Sequence, residues 1–332
     1  MRKVRWAVVG TSSFALDWIA RGIKLGSNAE LAAIVSRDAA RGAAAAERVC
    51  APHSYTSIDE IDKSVVDGVF LVLPTTQHAP YAIAAARRGL HVISEKPMAP
   101  TVADCRQMIE AALANGVLLA VAQCMEWTAP MVKARELLAS GAIGEVVSAS
   151  ISASFTARPD GRWKFEDMVR SGAGALIDMG VHAVDAITRL LGPVRRVSAL
   201  VGSRFPEYAG DVSATLLLEF ASGVHGTLQA HYTCYQNGLE IHGTRGRIWS
   251  SAWWGREFAG DLHMQRGEEV VDFDLPTVNV YVPQIEHVSD CVLRGVEPVI
   301  SGERGLANIA VIEAALASAR SGCAVEVAAG AA

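Results

Sequence analysis

Cysteine is scarce in this chain, and what there is lies scattered. The six among 332 residues (Cys50, Cys105, Cys124, Cys234, Cys291 and Cys323) contain no C-x-x-C pair and no cysteine–histidine spacing of the kind that holds zinc. A disulfide-stapled scaffold and a structural metal are therefore excluded, and free thiols in a reducing cytoplasm are the expectation. Aromatic residues are few, at 6%. Long apolar runs are missing: each is broken by charged, polar or glycine residues well short of the roughly 20 needed to cross a bilayer, so no membrane span is expected. Met1-Arg2-Lys3-Val4-Arg5 leads straight into Trp6-Ala7-Val8-Val9-Gly10, which is too short for a signal peptide and reads as a first core strand. No stretch gathers lysine and arginine into a stripe. The 30 basic residues against 35 acidic ones leave a formal charge of −5, which argues against a nucleic-acid partner. The nine histidines include no His-Glu-x-x-His and no other close ligand spacing, so no metal is expected.

What remains is an ordinary globular composition, 51% hydrophobic and 20% charged, with length for two domains at roughly 150 residues each. Through about residue 145 short β-rich runs alternate with longer alanine-rich ones, the pattern of a parallel sheet covered by helices. Strands are predicted at 4–9, 30–36, 68–73, 91–94 and 117–121, and helices at 14–25, 39–49, 79–88 and 102–115. After Gly144 the strands become long and alternating, at 145–155, 214–220 and 224–232, with the glycine turn Ala221-Ser222-Gly223 between the last two. This half is predicted to form a large, mostly antiparallel sheet. Short strands at 239–242 and 247–249 follow, then helices at 282–293 and 304–319 and a last strand at 324–327.

Gly10-Thr11-Ser12-Ser13-Phe14-Ala15 stands between the first strand and the first helix, where the dinucleotide fingerprint G-x-G-x-x-G/A belongs. Ser12 replaces the middle glycine. Gly10 permits the tight turn, Ala15 the close packing, and the helix start offers N–H groups to a pyrophosphate; a plain strand–turn–helix is the competing reading. The second strand ends at Ser36 rather than at an acidic residue, followed by Arg37-Asp38 and Arg41. A hydroxyl with guanidinium groups suits a 2′-phosphate, so NADP is favoured over NAD, against the alternative of arginines that merely open an exposed helix.

His91-Val92-Ile93-Ser94-Glu95-Lys96-Pro97 sets a charged pair at the carboxyl end of an apolar strand, where ligands bind in open α/β sheets. Lys96 is then directed to the cleft, unless it is only a solvated loop charge. Farther on, Asp178 and His182 are four residues apart, which on a helix puts them on one face. Gly172, Gly174 and Gly180 around them let another backbone or a ligand approach. A helix-capping aspartate and a core histidine are the competing roles.

In this order and spacing the motifs identify a resemblance to the glucose-fructose oxidoreductase / inositol dehydrogenase (Gfo/Idh/MocA) family. It rests on Gly10–Ala15, Pro74-Thr75-Thr76-Gln77-His78, Glu95-Lys96-Pro97, the stretch 172–185, and Glu240-Ile241-His242-Gly243-Thr244-Arg245-Gly246. Within the family the chain most resembles the 1,5-anhydrofructose reductase-like branch, which shares the Gly-x-Ser-x-x-Ala loop, the serine ending the second strand and an arginine at Arg41. The resemblance implies an N-terminal Rossmann domain (1–122) with a parallel, doubly wound α/β sheet, and an α+β C-terminal domain (123–332) with a mostly antiparallel open sheet. That second domain would bind substrate and form a homodimer or homotetramer through its sheet. The implied reaction is hydride transfer between NADP, or NAD, and a sugar, polyol or keto-sugar. His182 is implied as the acid/base residue, Lys96 as its companion in proton transfer and Asp178 as the group that orients substrate and histidine. For the cofactor the resemblance implies Gly10, Thr11, Ser12, Ser13, Phe14, Ala15, Ser36, Arg37, Arg41, Leu73, Pro74, Thr75, His78, Glu95, Lys96, Gln123, Trp163 and Lys164. Where many members carry an asparagine and then an arginine, this chain reads Gln123-Cys124-Met125-Glu126-Trp127, so Glu126 and Trp127 are expected to reshape the substrate pocket. Rival expectations are an NAD-dependent glycosidase of the same fold and a non-catalytic nucleotide sensor; a sensor has no need of Lys96, Asp178 and His182 together.

Overall fold

A computed structural model of the chain describes residues 2–156, 174–205 and 207–328. The chain divides into two compact units: Met1–Gln123 with Tyr281–Leu306, and Cys124–Val280 with Ala307–Ala332.

The first unit is built on six parallel strands: β1 (Val4–Val9), β2 (Ala29–Val35), β3 (His53–Tyr55), β4 (Gly68–Leu71), β5 (His91–Ser94) and β6 (Leu119–Val121), in the order β3-β2-β1-β4-β5-β6. The order reverses between β1 and β4, the switch point at which doubly wound sheets bind ligands. The strands read as continuous apolar runs because helices cover both faces. The chain is helical from 13 to 25, with a π-helical stretch, Ala15–Ala20, leading into α1 (Arg21–Leu25). The alanine-rich α2 (Ala39–Val49) starts at Asp38, whose carboxylate accepts the Arg41 N–H at 3.0 Å. Next come α3 (His78–Arg87) and α4 (Val102–Ala114), the latter capped by the Thr101 hydroxyl on the Asp104 N–H at 3.1 Å.

Sequence expectations for this sheet hold to within a residue or two, except that β3 was not anticipated. It is three residues long and largely exposed, so no apolar pattern marks it. A single cut along the chain also leaves out Tyr281–Leu306. The helix α7 (Tyr281–Arg294) rejoins the first unit because Trp6, fully buried in β1, donates its indole N–H to the Ser289 hydroxyl at 2.9 Å. Beyond it, Val121 N–H donates to the Ile300 carbonyl at 2.8 Å.

The second unit carries a nine-stranded sheet. Its strands are β7 (Val146–Ser154), β8 (Val194–Gly202), β9 (Ser213–Phe220), β10 (His225–His231), β11 (Leu239–Gly243), β12 (Gly246–Ser250), β14 (His263–Arg266), β15 (Glu269–Asp272) and β17 (Val325–Glu326), while β13 (Glu257–Phe258) and β16 (Val278–Asn279) pair separately. Every pairing in the large sheet is antiparallel except β7 with β10. β9 shows why it has one wet face: Ala214, Leu216, Leu218 and Phe220 are buried, and the residues between them point outward. Each large apolar side chain so buried contributes roughly 1.5–3 kcal/mol. Helix α6 (Val181–Leu191) packs on the covered face against β7 and β10. The unit also holds α5 (Ala129–Ala139), and α8 (Gly302–Ser321) enters it at Ala307. Among the described residues no helix is long and apolar enough to cross a membrane.

Candidate active site

In the first unit the parallel register lines up the residues that follow each strand. Gly10 N–H donates to Val35 O, Ser36 N–H to Tyr55 O, Val72 N–H to Val9 O, Glu95 N–H to Leu71 O and Ala122 N–H to Ser94 O, all at 2.7–3.0 Å. One level row at the carboxyl edge thus carries the fingerprint loop, the end of β2 and the start of the Glu-Lys-Pro segment. Gly10 has φ +125°, and a Cβ there would run into the Val72 carbonyl oxygen, so only glycine fits. Ser12 has a use beyond replacing a glycine: its hydroxyl accepts the Ala15 N–H at 3.2 Å and caps the helix start. Thr11 and Phe14 are half-buried, Ser12 and Ser13 exposed, and Phe14 meets Tyr281 edge to face at 5.8 Å.

Ser36 is half-buried, and Arg37 and Arg41 lie exposed beyond it. Asp38 has two ties to Arg41, its backbone N–H and, at 3.2 Å, its guanidinium; these hydrogen bonds hold the Asp38 carboxyl below its ordinary range. Leu73 and Pro74 are half-buried and Thr75 buried. His78 is 1% exposed, and both ring nitrogens face backbone carbonyls, Nδ1 that of Pro97 at 2.9 Å and Nε2 that of Leu73 at 3.0 Å. Burial pushes this imidazole down against the pull of those carbonyls. The ring therefore ties the loop after β4 to the Glu-Lys-Pro loop instead of presenting a nitrogen outward as a cofactor ligand. Glu95 is buried and accepts the Lys96 N–H at 3.1 Å; Lys96 is half-buried. Gln123, 1% exposed after β6, has a side-chain amide with no hydrogen-bond partner among the described residues. A buried amide in that state costs free energy unless something pairs with it. With the Gly10 cradle, it makes this edge fit a dinucleotide.

The second unit supplies the acid–base turn. Asp178 lies in a π-helical turn (Leu176–Gly180) and His182 in the first turn of α6, so the helical spacing holds in a wider form. π-helical turns recur at functional sites. At Gly174 a Cβ would run into the Asp211 backbone, the close approach expected of these glycines. Asp178 is half-buried and accepts the Tyr232 hydroxyl at 2.8 Å. His182 is buried, its ring parallel to that of Trp254 at 6.2 Å. Trp254 in turn donates its indole N–H to Asn237, which also accepts the Ser154 N–H at 2.9 Å. Asp185, one turn beyond His182, is buried and accepts from Asn308 at 2.8 Å.

Glu126 corrects an expectation. Its carboxylate does not open toward a ligand but is buried against Arg135 at 2.8 Å and Arg189 at 3.1 Å, bracing the far end of α6. Trp127 is half-buried. Trp253 is core, its indole N–H on the Ser152 carbonyl at 2.8 Å. Trp163, Lys164 and Gly172 lie outside the described residues. Tyr232, Asp211 and Asn237 went unread as site residues. The turn 221–223 fixes the β9–β10 register and so sets Val212 opposite Tyr232, but nothing in the sequence says that the Asp178 turn lies beside them.

Residues 4–123 match the family described as an oxidoreductase family with an NAD-binding Rossmann fold, and residues 131–249 match the GFO/IDH/MocA C-terminal domain. A dTDP-3,4-didehydro-2,6-dideoxy-alpha-D-glucose 3-reductase of Streptomyces violaceoruber is 31% identical over 254 residues, covering 75% of this chain and 72% of that one. The chain belongs to the Gfo/Idh/MocA family. A 1,5-anhydro-D-fructose reductase of Ensifer adhaerens is 26% identical over 329 residues, 97% of this chain and 98% of its own. The solved structure of an aldose–aldose oxidoreductase from Caulobacter crescentus, complexed with glycerol, superposes with a TM-score of 0.91 at 28% identity, covering 98% of this chain and 100% of the other. Gfo/Idh/MocA relatives are thus named as reductases, dehydrogenases and oxidoreductases of sugars, and this chain is an NAD(P)-dependent enzyme of that class.

Proposed function

We propose that the protein transfers hydride between NADP and a sugar, polyol or keto-sugar, with His182 as acid/base, Lys96 assisting and Asp178 orienting. The observation that carries this reading is the second unit's buried turn, in which Asp178 and His182 share one helix with fixed partners on each side. In the first unit the Gly10 loop, Ser36, Thr75, Glu95 and Gln123 would hold the dinucleotide, with Arg37 and Arg41 toward a 2′-phosphate. Relatives named for NADP(+), such as a D-xylose 1-dehydrogenase of Haloferax volcanii, 28% identical over 326 residues, support that preference. The functional division is 1–122 for the cofactor and 123–332 for substrate and self-association. Six free cysteines suit the cytoplasm.

When bound, the nicotinamide supplies hydride exchange at the substrate's carbonyl or carbinol carbon. In the reductive direction His182, as imidazolium, donates a proton to the substrate oxygen. Lys96 stabilises negative charge on that oxygen, and Asp178 holds substrate and imidazole in line. In oxidation neutral His182 accepts the hydroxyl proton instead.

The test is a panel of aldoses, polyols and keto-sugars, 1,5-anhydro-D-fructose and D-xylose among them, with both nicotinamide cofactors, read by absorbance of the reduced form. At least one compound is expected to turn over, faster with NADP(H). His182→Ala is expected to slow it roughly 100-fold or more while leaving nucleotide binding intact. Wild-type turnover in that variant overturns the assignment.

A further inference from the structure

The start of a helix leaves backbone N–H groups without acceptors, and at the Asp178 turn a single residue takes three of them. Asp211 accepts the Gly174 N–H on Oδ1 at 3.2 Å, the Leu176 N–H on Oδ2 at 2.8 Å and the Ala175 N–H on its backbone oxygen at 2.9 Å. The next residue, Val212, accepts the Tyr232 N–H at 3.0 Å. Tyr232 then closes the circuit. Its ring is 2% exposed and meets Phe155 edge to face at 5.4 Å, and its hydroxyl reaches Asp178 Oδ2 at 2.8 Å, with the Gly174 carbonyl farther off at 3.3 Å. The π-helical turn that carries Asp178 is thus pinned at its start by Asp211 and at its carboxylate by Tyr232, which flank the open end of the β9–β10 hairpin.

We propose that Tyr232 is a positioning residue for the reaction: its hydroxyl donates to Asp178, fixing the orientation of that carboxylate and keeping it ionised beside His182. This rests on the reading that Asp178 serves the acid–base step. Geometry makes the carboxylate the nearer acceptor, and a buried phenol has one proton to give. Burial and the charges of Asp178 and Asp211 push the Tyr232 hydroxyl well above its ordinary range, so it remains a donor at neutral pH. Burial also pushes the Asp211 carboxyl up, against the pull of the Leu176 and Gly174 N–H groups.

Tyr232→Phe removes the hydroxyl and keeps the ring against Phe155. In 13C NMR of aspartate-labelled protein, with the Asp178 signal assigned by its loss in Asp178→Asn, the Asp178 titration is expected to move up by about one pH unit, the size of a lost hydrogen bond to a charged group. With the best substrate of the panel, kcat is expected to fall about 10-fold with KM and nucleotide affinity nearly unchanged, and the acid limb of the pH profile to move to higher pH. Added to Asp178→Asn, Tyr232→Phe is expected to cause no further loss. An unshifted Asp178 titration, or losses that multiply in the double variant, overturns the proposal. Asp178→Asn at the wild-type rate instead removes the reading beneath it. Should Tyr232→Phe fold poorly, 19F NMR of the wild-type sequence labelled with 3-fluorotyrosine reads the same bond: the Tyr232 signal must follow the Asp178 titration, and a flat signal overturns the proposal.

Discussion

At Ser36 the second strand ends without the carboxylate that would hold a ribose 2′-hydroxyl, and the nearest candidate, Asp38, is committed to capping α2 and to Arg41. The Arg41 pair is exposed and so weak, which leaves the guanidinium able to turn to a phosphate. Arg37→Ala with Arg41→Ala is expected to raise the Kd for NADPH about 10-fold or more, the scale of a lost charge-assisted contact, and to leave NADH nearly unchanged. Fluorescence titration of the two reduced nucleotides checks this, and equal losses contradict it. Asp261 gives a second prediction. Burial works against its charge, yet the hydroxyl and N–H of Ser251, the Ala252 N–H and the Ser250 hydroxyl bring it from 3.8 to about 2. A carboxyl depressed on folding adds stability that is complete above its unfolded pKa and lost as pH falls through the folded one. Asp261→Ala is therefore expected to lower stability by about 1 kcal/mol at neutral pH, allowing for partial exposure, with the gap closing between pH 4 and 2 in urea melts. Legibility follows the reach of the partners. Gly10, Ser36 and Lys96 could be read because each follows an apolar strand; the role of His78 could not, since both its carbonyl partners lie on loops.

Elements were legible where a pattern of two or of about three and a half residues runs long enough to show. β1, β5 and α2 have their predicted bounds. β3, α5, β8 and the short strands β13 to β16 were not anticipated, β8 because its nine residues show no clean alternation of buried and exposed positions, and neither was the π-helical geometry of Ala15–Ala20 and Leu176–Gly180, which depends on what packs against the turn. For the second of these turns the packing is on view: Gly174 lies against the Asp211 backbone with no room for a Cβ. Gly174→Ala is expected to cost about 1–3 kcal/mol of stability and to lower turnover by displacing Asp178. A thermal melt beside a rate measurement checks both, and a variant unchanged in each contradicts the packing argument.

At the scale of the molecule, the return of Tyr281–Leu306 to the first unit is held by side chains such as Trp6 and Ser289 that lie far apart in sequence, which is why no local signal announces it. The outer face of the nine-stranded sheet presents Leu200 at 79%, Leu217 at 60% and Val147 at 56% exposure, apolar side chains that the proposed self-association would cover. If the proposed self-association uses this face, the wild type is expected as a homodimer or homotetramer in light scattering and Leu200→Glu with Leu217→Glu as a monomer, with the thermal midpoint little changed; a monomeric wild type or an unaltered mass contradicts association through this face. The chemistry itself is tested most directly by isotope. With NADPH deuterated at the transferred position of the nicotinamide and a carbonyl substrate from the panel, one deuterium is expected in each product molecule and one NADP+ formed per product. Product that carries no cofactor deuterium, or that forms without net oxidation of NADPH, would contradict the account.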